Sequence, residues 1–172
     1  MKRRIITFVI ILVCFLLQCT VFRQLTFASI GPNLLIIVTA SFGFMRGSKT
    51  GIAVGFICGL LTDLFWGQYL GFGILVYTFI GYLNGLFERM FYYEDIKLPI
   101  GLIAASELLY GLLNYGAYHL LEGDFMFGSY LVQIILPELV YTILVTLVLY
   151  QIISRINRRL ETEEQRNASR FV

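Results

Sequence analysis

The sequence predicts an all-α integral membrane protein with six transmembrane helices and both termini in the cytoplasm. Three observations predict it. First, 58% of the 172 residues are hydrophobic and only 14% are charged, against about 25% charged in a soluble domain. Second, the apolar residues come in long blocks rather than short periodic faces, as expected of a chain whose solvent is lipid. Third, the basic residues fall on one side of those blocks. With the N-terminus inside, Lys2, Arg3, Arg4, Arg46, Lys49, Arg89, Lys97, Arg155, Arg158, Arg159, Arg166 and Arg170 are cytoplasmic and Arg23 alone is outside, so thirteen Lys and Arg split twelve to one. That bias obeys the positive-inside rule, and it says more than the net charge of +2.

Residues 1–154 are expected to form one six-helix transmembrane domain, because each block adjoins the next through a short loop. Met1–Arg4 precedes the apolar run Ile5–Phe22. The run is longer than the ~7–15 residues of a signal-peptide core, and Gln18 fits a lipoprotein cleavage box poorly, so it is read as a retained first helix. Arg23–Gly31 is a polar break. Pro32 suits the first turn of the next helix, where a missing N–H costs nothing. The second span, Asn33–Met45, is short, and with Ile30–Pro32 reaches the ~17 residues needed to cross. Arg46–Thr50 is a tight polar turn. The third span, Gly51–Phe65, ends at Trp66 and Tyr69, where an interfacial aromatic belt is expected. The fourth, Gly71–Phe87, ends at Glu88–Arg89, and Met90–Lys97 is an amphipathic connector carrying Tyr92, Tyr93, Glu94 and Asp95. Leu98–Leu121 is the fifth span, Glu122–Ser129 a polar loop and Tyr130–Ile153 the sixth span. Residues 155–172 form a charged cytoplasmic tail, a helical extension expected to fray. A four-span alternative makes spans two and three a re-entrant hairpin, but it moves Arg46 and Lys49 away from the cytoplasm against the charge bias.

The stretch Gly51–Glu88 carries the strongest pattern. Gly51, Gly55 and Gly59 recur every fourth residue, with Asp63 on the next step; Gly73, Tyr77, Gly81 and Gly85 repeat the spacing on the following run. Four residues rotate a helix by about 400°, so each set forms a slowly drifting stripe. Small residues that admit close backbone approach mark packing faces between membrane helices. A carboxylate such as Asp63 at the end of that stripe is a functional candidate by its cost in lipid; the plainer reading is an interfacial residue near water beside glycines that only pack.

Two further acids lie inside spans. Glu107 shares a helical face with Tyr110, Gly111, Asn114 and Tyr118, and Glu138, just after Pro137, is placed with Tyr141, Thr142 and Val145. At ~1.5 Å per residue Glu107 is roughly 14 Å from the inner end of its span and Glu138 roughly 12 Å from the outer end, so both are near mid-membrane. Pro137 frees a backbone carbonyl there. No Lys or Arg within a span can pair with these acids. They are packing polars bonded to Tyr, Asn or Thr, a proton or ion relay, or a partner or ligand site. The cysteines Cys14, Cys19 and Cys58 are odd in number, lie within apolar runs and read as small hydrophobes. A single histidine, His119, excludes a multi-histidine metal centre, and no cofactor is expected. Motifs for a serine hydrolase or a phosphate loop are missing, and Asp95 and Asp124 lie in loops, which disfavours an aspartyl protease. The basic residues report topology rather than nucleic-acid binding.

Pro32–Asn33 opening a short span, the run Gly55–Phe56–Ile57–Cys58–Gly59–Leu60–Leu61–Thr62–Asp63, the following Gly71, and Tyr77–Thr78–Phe79–Ile80–Gly81–Tyr82 together resemble the MreD family of bacterial rod-shape-determining membrane proteins. Length, spans and basic tail agree along essentially the whole chain. The resemblance implies a non-enzymatic plasma-membrane subunit of the elongation machinery. Its implied direct partner is MreC, with RodA, a class B penicillin-binding protein and MreB in the wider complex. Packing or partner-binding positions would be Pro32, Asn33, Gly51, Gly55, Gly59, Asp63, Gly71, Tyr77, Gly81 and Gly85, with Glu107, Asn114, Pro137 and Glu138 as intramembrane polar positions. In that reading Asp63 stays near water and accepts hydrogen bonds from the partner helix. The MreD fold is similar to the substrate-binding subunits of energy-coupling-factor transporters, which supplies the rival reading of a vitamin or small-molecule uptake subunit.

The topology is testable directly. Cysteine labels at Ser48, Tyr93 and the tail are expected to react only from the cytoplasm, and labels at Gln24, Gln68 and Gly123 only from outside. A Ser48 label that reacts from outside overturns the six-span arrangement.

Overall fold

The computed structural model describes residues 2–22, 31–67, 70–90, 96–119 and 127–168. Expectations placed on Arg23, Gln24, Gln68, Tyr69, residues 91–95, residues 122–126 and Arg170, and on the side chains of Tyr118 and His119, lie outside what is described. All regular structure among the described residues is helical: α1 (Lys2–Leu17), α2 (Leu34–Arg46), α3 (Ser48–Phe65), α4 (Phe72–Leu86), α5 (Lys97–Asn114) and α6 (Leu136–Ala168). α1 continues into a π-helical turn, Gln18–Phe22, and α5 into another, Tyr115–His119. A helical turn, Phe127–Tyr130, and a π-helical turn, Leu131–Ile135, lead into α6.

The bundle is built around α2. Its residues Leu34 to Met45 are all buried, and it packs against α1, α3, α4, α5 and α6. Apolar side chains on the other helices point outward as well as inward: Val9, Leu12, Phe56, Leu64, Leu75, Val140, Leu144 and Val148 are all exposed. An apolar perimeter around an apolar centre is the pattern of a bundle solvated by lipid. Among the described residues four helical stretches, Arg3–Thr20, Ser48–Phe65, Lys97–Ala117 and Phe127–Glu164, are long and apolar enough to cross a membrane, whereas α2 and α4 are apolar but shorter. At ~1.5 Å per residue the 13-residue α2 measures about 20 Å, short of the ~30 Å hydrocarbon core. Its start therefore lies within the bundle. Irregular backbone at membrane depth is tolerated only where protein encloses it.

Pro32 is not in the first helical turn, as its fixed φ suggested. It precedes Asn33, and Asn33 is the N-cap, accepting from the N–H of Ile36 at 3.3 Å. An asparagine cap takes up a donor that proline at the same place would leave open. Between α2 and α3 the turn shrinks to one residue, Gly47, whose φ of 79° is left-handed. A side chain there would be strained and would run into the Glu88 carboxylate.

The two glycine stripes face each other. A Cβ on Gly51 would collide with the carbonyl of Gly81, and one on Gly81 with the carbonyl of Gly51. Gly55 lies on the Tyr77 backbone, Gly59 on Gly73 and Ile74, and Gly85 on Gly47 and Ser48. On α2, a Cβ at Gly43 would stand 2.7 Å from the Gly81 carbonyl. α3 and α4 thus close backbone to backbone, which maximises dispersion contact where lipid gives no hydrophobic drive.

Contacts between distant segments sort the bundle into two ends. Arg3 pairs with Glu164 at 2.7 Å, and Arg46 donates to Asn157 at 2.6 Å and to Thr7 at 3.2 Å. The start of α1, the α2–α3 turn and the far part of α6 share this end. At the opposite end Phe65 and Trp66 stack edge-on against Phe15, at centroid distances of 4.8 and 5.6 Å. α6 does not stop at Ile153. It continues as helix to Ala168 and buries Asn157 and Leu160.

The stripe predicts opposite outcomes at two helical glycines. Gly55→Leu forces a bulky side chain into backbone and is expected to destabilise by more than about 3 kcal/mol, read as a lower Tm or loss of folded protein in detergent. Gly101→Ala meets nothing within 4 Å and is expected to raise stability slightly, by roughly 0.5–1 kcal/mol. Equal Tm values for the two variants would show that the stripe is not a contact.

Candidate functional site

Three largely buried polar constellations tie the helices together, and the first two hold Asn33, Asp63, Gly71, Tyr77, Glu107, Asn114, Pro137 and Glu138, while the stripe glycines lie in the α3–α4 contact.

The first joins α3 to α4. Asp63, the last buried residue of the α3 stripe, is only 4% exposed. Its Oδ2 accepts from the N–H groups of Gly71 and Ile74 at 2.8 and 3.1 Å, and its Oδ1 from Gly73 at 2.8 Å. Gly71 has a φ of 102°, in the left-handed region, and opens α4 without a side-chain cap of its own. Asp63 supplies that cap from across the turn. The first N–H groups of a helix lack partners and carry positive partial charge, so a carboxylate suits the position. Asp63 was expected to stay near water and to receive a partner's donors. Its burial and its three backbone bonds give it a different task, closing the α3–α4 hairpin. No side chain fits at Gly73, because its Cβ would meet the carboxylate.

The second constellation surrounds the start of α2. The Tyr77 hydroxyl donates to Asn33 Oδ1 at 2.9 Å, and the Asn33 backbone N–H donates to Thr142 Oγ1 at 3.1 Å. Gln18 Oε1 accepts from the Leu35 N–H at 3.3 Å. Asn33 therefore links α4 and α6 to the start of α2. Tyr77 packs edge-on against Tyr110, with centroids 5.4 Å apart. Next to these tyrosines, Glu107 on α5 faces Glu138 on α6, close enough to interact. Glu107 is 2% exposed, and neither carboxyl oxygen has an aligned hydrogen-bond partner among the described residues. Two carboxyls bring acceptors, so the pair calls for a donor, either a proton held between them or a group from outside. Asn114 turns back to the Tyr110 carbonyl at 3.1 Å. Gly111 lies beneath Ile135, and a Cβ there would stand 3.0 Å from that side chain. Pro137, without an N–H, follows the π-helical turn in which the Leu136 N–H reaches back to Leu131. Thr142 is fully buried, whereas Tyr141, placed on the same face from the sequence, points outward. The Glu138 face therefore runs through i+4 rather than i+3.

The third constellation was not anticipated. Arg46 is held by Asn157 and Thr7 and lies 5.0 Å from the centre of the Phe42 ring, and Asn157 donates onward to Glu161 at 3.1 Å. Deeper in the bundle, Asn84 donates to Ser106 at 2.7 Å and to the Ile80 carbonyl at 2.9 Å. An asparagine inside the apolar run of α4 was a legible sign of an interhelical bond. Arg46 and Asn157 gave none, being 111 residues apart.

The arrangement is one of mutual satisfaction: caps, clasps and close backbones. A family model described as MreD, rod shape-determining protein MreD, matches residues 2–159. Comparison with curated proteins and with solved structures gave no match.

Replacing Asp63 tests the first constellation. Asp63→Ala leaves three backbone donors open, that of Gly73 buried, and is expected to lower stability by about 2 kcal/mol, with Asp63→Asn milder because one acceptor remains. Thermal unfolding in detergent reads both. A wild-type Tm for Asp63→Ala would show that the α4 start does not depend on this carboxylate.

Proposed function

The chain belongs to the MreD family of rod shape-determining membrane proteins, and on that premise we propose that it is a non-enzymatic subunit of the bacterial elongation machinery. In this reading it lies in the plasma membrane with six spans and both termini in the cytoplasm. It binds MreC directly and, through MreC, helps link the MreB cytoskeleton to wall synthesis by RodA and a class B penicillin-binding protein. The single observation that carries the proposal is the family match over residues 2–159. The geometry supports a scaffold, because its glycines and Asp63 are engaged within the bundle rather than arranged around a substrate.

That engagement changes where the partner is expected to bind. The stripes were candidates for receiving the MreC helix, but each covers the other. The partner helix instead meets the outer apolar surface. Small-molecule uptake keeps one specific observation in its favour, the buried Glu107–Glu138 pair with no aligned partner for Glu107 among the described residues.

Co-expression with MreC and purification in mild detergent is expected to give a stable complex. Gly59→Leu and Asp63→Ala are expected to lose that complex only in proportion to their loss of folded protein. Failure of MreC to co-purify with well-folded wild-type chain overturns the proposal. A vitamin at 100-fold excess over its Kd would stabilise the fold by about 2.7 kcal/mol, so a vitamin-dependent thermal shift that disappears in Glu107→Gln would favour uptake.

A further inference from the structure

A groove of about 650 Å³ opens between α1 and α3, at the end of the bundle where the α2–α3 turn meets the far part of α6. Its basic lining is Arg3, Arg4, Arg46 and Lys49, with Glu164 the one acid among the described lining residues. Its inner wall is apolar, with Phe8 and Ile11 on one side and Ala53 and Ile57 on the other. Ile5, Phe8, Ile52 and Phe56, on the same two helices, are exposed, so the groove is flanked by surface of the kind that meets lipid tails. Arg46 is already oriented there, held by Asn157 and Thr7 beside the Phe42 ring. Arg3 is paired with Glu164, but that pair is 33% and 50% exposed and readily rearranged.

We propose that this groove holds one anionic glycerophospholipid of the adjoining leaflet, with its phosphate among the basic residues and the upper part of an acyl chain between α1 and α3. Charge complementarity fixes the headgroup class: four cations at the mouth suit a phosphate whose net charge is not cancelled by a headgroup amine. The apolar wall fixes the source. A free anion needs only the mouth, whereas the groove extends below it along Ile11 and Ile57. A volume of this size lies within the ~300–1,000 Å³ range of small-ligand sites. Basic clusters at a membrane surface attract anionic lipid electrostatically, and a fixed apolar slot adds selectivity for the attached chain. The inference rests on the chain lying in a bilayer and is independent of the MreC partnership, so the two can fail separately.

The test uses the full chain purified in neutral detergent, with thermal stability followed as lipid is added. Phosphatidylglycerol is expected to raise Tm saturably; phosphatidylcholine and inorganic phosphate are expected to leave it within error. The double variant Arg4→Gln/Lys49→Gln is expected to need at least tenfold more phosphatidylglycerol for half the shift. Ala53→Leu keeps every charge and fills the groove from an exposed position, and is expected to abolish the shift while leaving the lipid-free Tm unchanged. The proposal is overturned by an equal shift with phosphatidylcholine or with inorganic phosphate, by no shift with phosphatidylglycerol, or by a full shift in Ala53→Leu. If Ala53→Leu folds poorly, native mass spectrometry of the wild type decides: one retained phosphatidylglycerol supports the site, and loss of all lipid at the same activation as phosphatidylcholine removes it.

Discussion

Everything in this bundle depends on starting a helix in the wrong solvent. α2 is enclosed by its neighbours and too short to reach both membrane surfaces, so its first N–H groups cannot look to water. Side chains answer three of them. The Asn33 side chain takes the Ile36 N–H, Gln18 takes that of Leu35, and Thr142 takes that of Asn33 itself. Tyr77 then fills the remaining side of the Asn33 carboxamide oxygen. Satisfying one helix terminus recruits α1, α4 and α6. An unpaired N–H at that depth would cost about as much as a lost buried hydrogen bond, so this polar cluster sets the relative positions of helices that lipid alone would leave free to slide.

The α3–α4 hairpin solves the same problem by different means. Its glycines remove side chains until backbones touch, and its terminal carboxylate supplies the donors of the next helix with acceptors. Either device alone would leave freedom. Close packing does not fix register, because glycine stripes can slide by one step of four. Asp63 has one position at which it reaches Gly71, Gly73 and Ile74 together, and so it selects the step.

Much of this was legible in sequence. Long apolar blocks specify membrane helices, and the four-residue glycine spacing specifies a close contact, because both follow from local geometry. Glu107 and Glu138 stood out as acids inside apolar runs, and Asn33 entered through the family resemblance that Pro32–Asn33 carries. What the pattern could not give was direction. A stripe announces a close neighbour without saying whether that neighbour is a helix of the same chain or of another, and Asp63 read as available because its three donors lie eight to eleven residues ahead, beyond a turn. The Arg46–Asn157 contact was invisible for a plainer reason. It joins two ordinary helix-end polar residues, and only the folded path of the chain brings them together.

α6 meets α2 twice. Thr142 reaches Asn33 at one end and Asn157 reaches Arg46 at the other. The interval from 142 to 157 along α6 is about 22 Å at ~1.5 Å per residue, close to the length of α2 itself. Two fastenings at that separation remove both the slide and the swivel that a single contact would leave. Beyond the second fastening α6 continues as an unbroken shaft to Ala168. That end also touches α1 through Glu164 and Arg3, so it is tied to the bundle's first helix as well as to its central one. The α2–α6 pair is therefore keyed at two depths, a geometry that opposes twisting of one helix about the other along the length of α2.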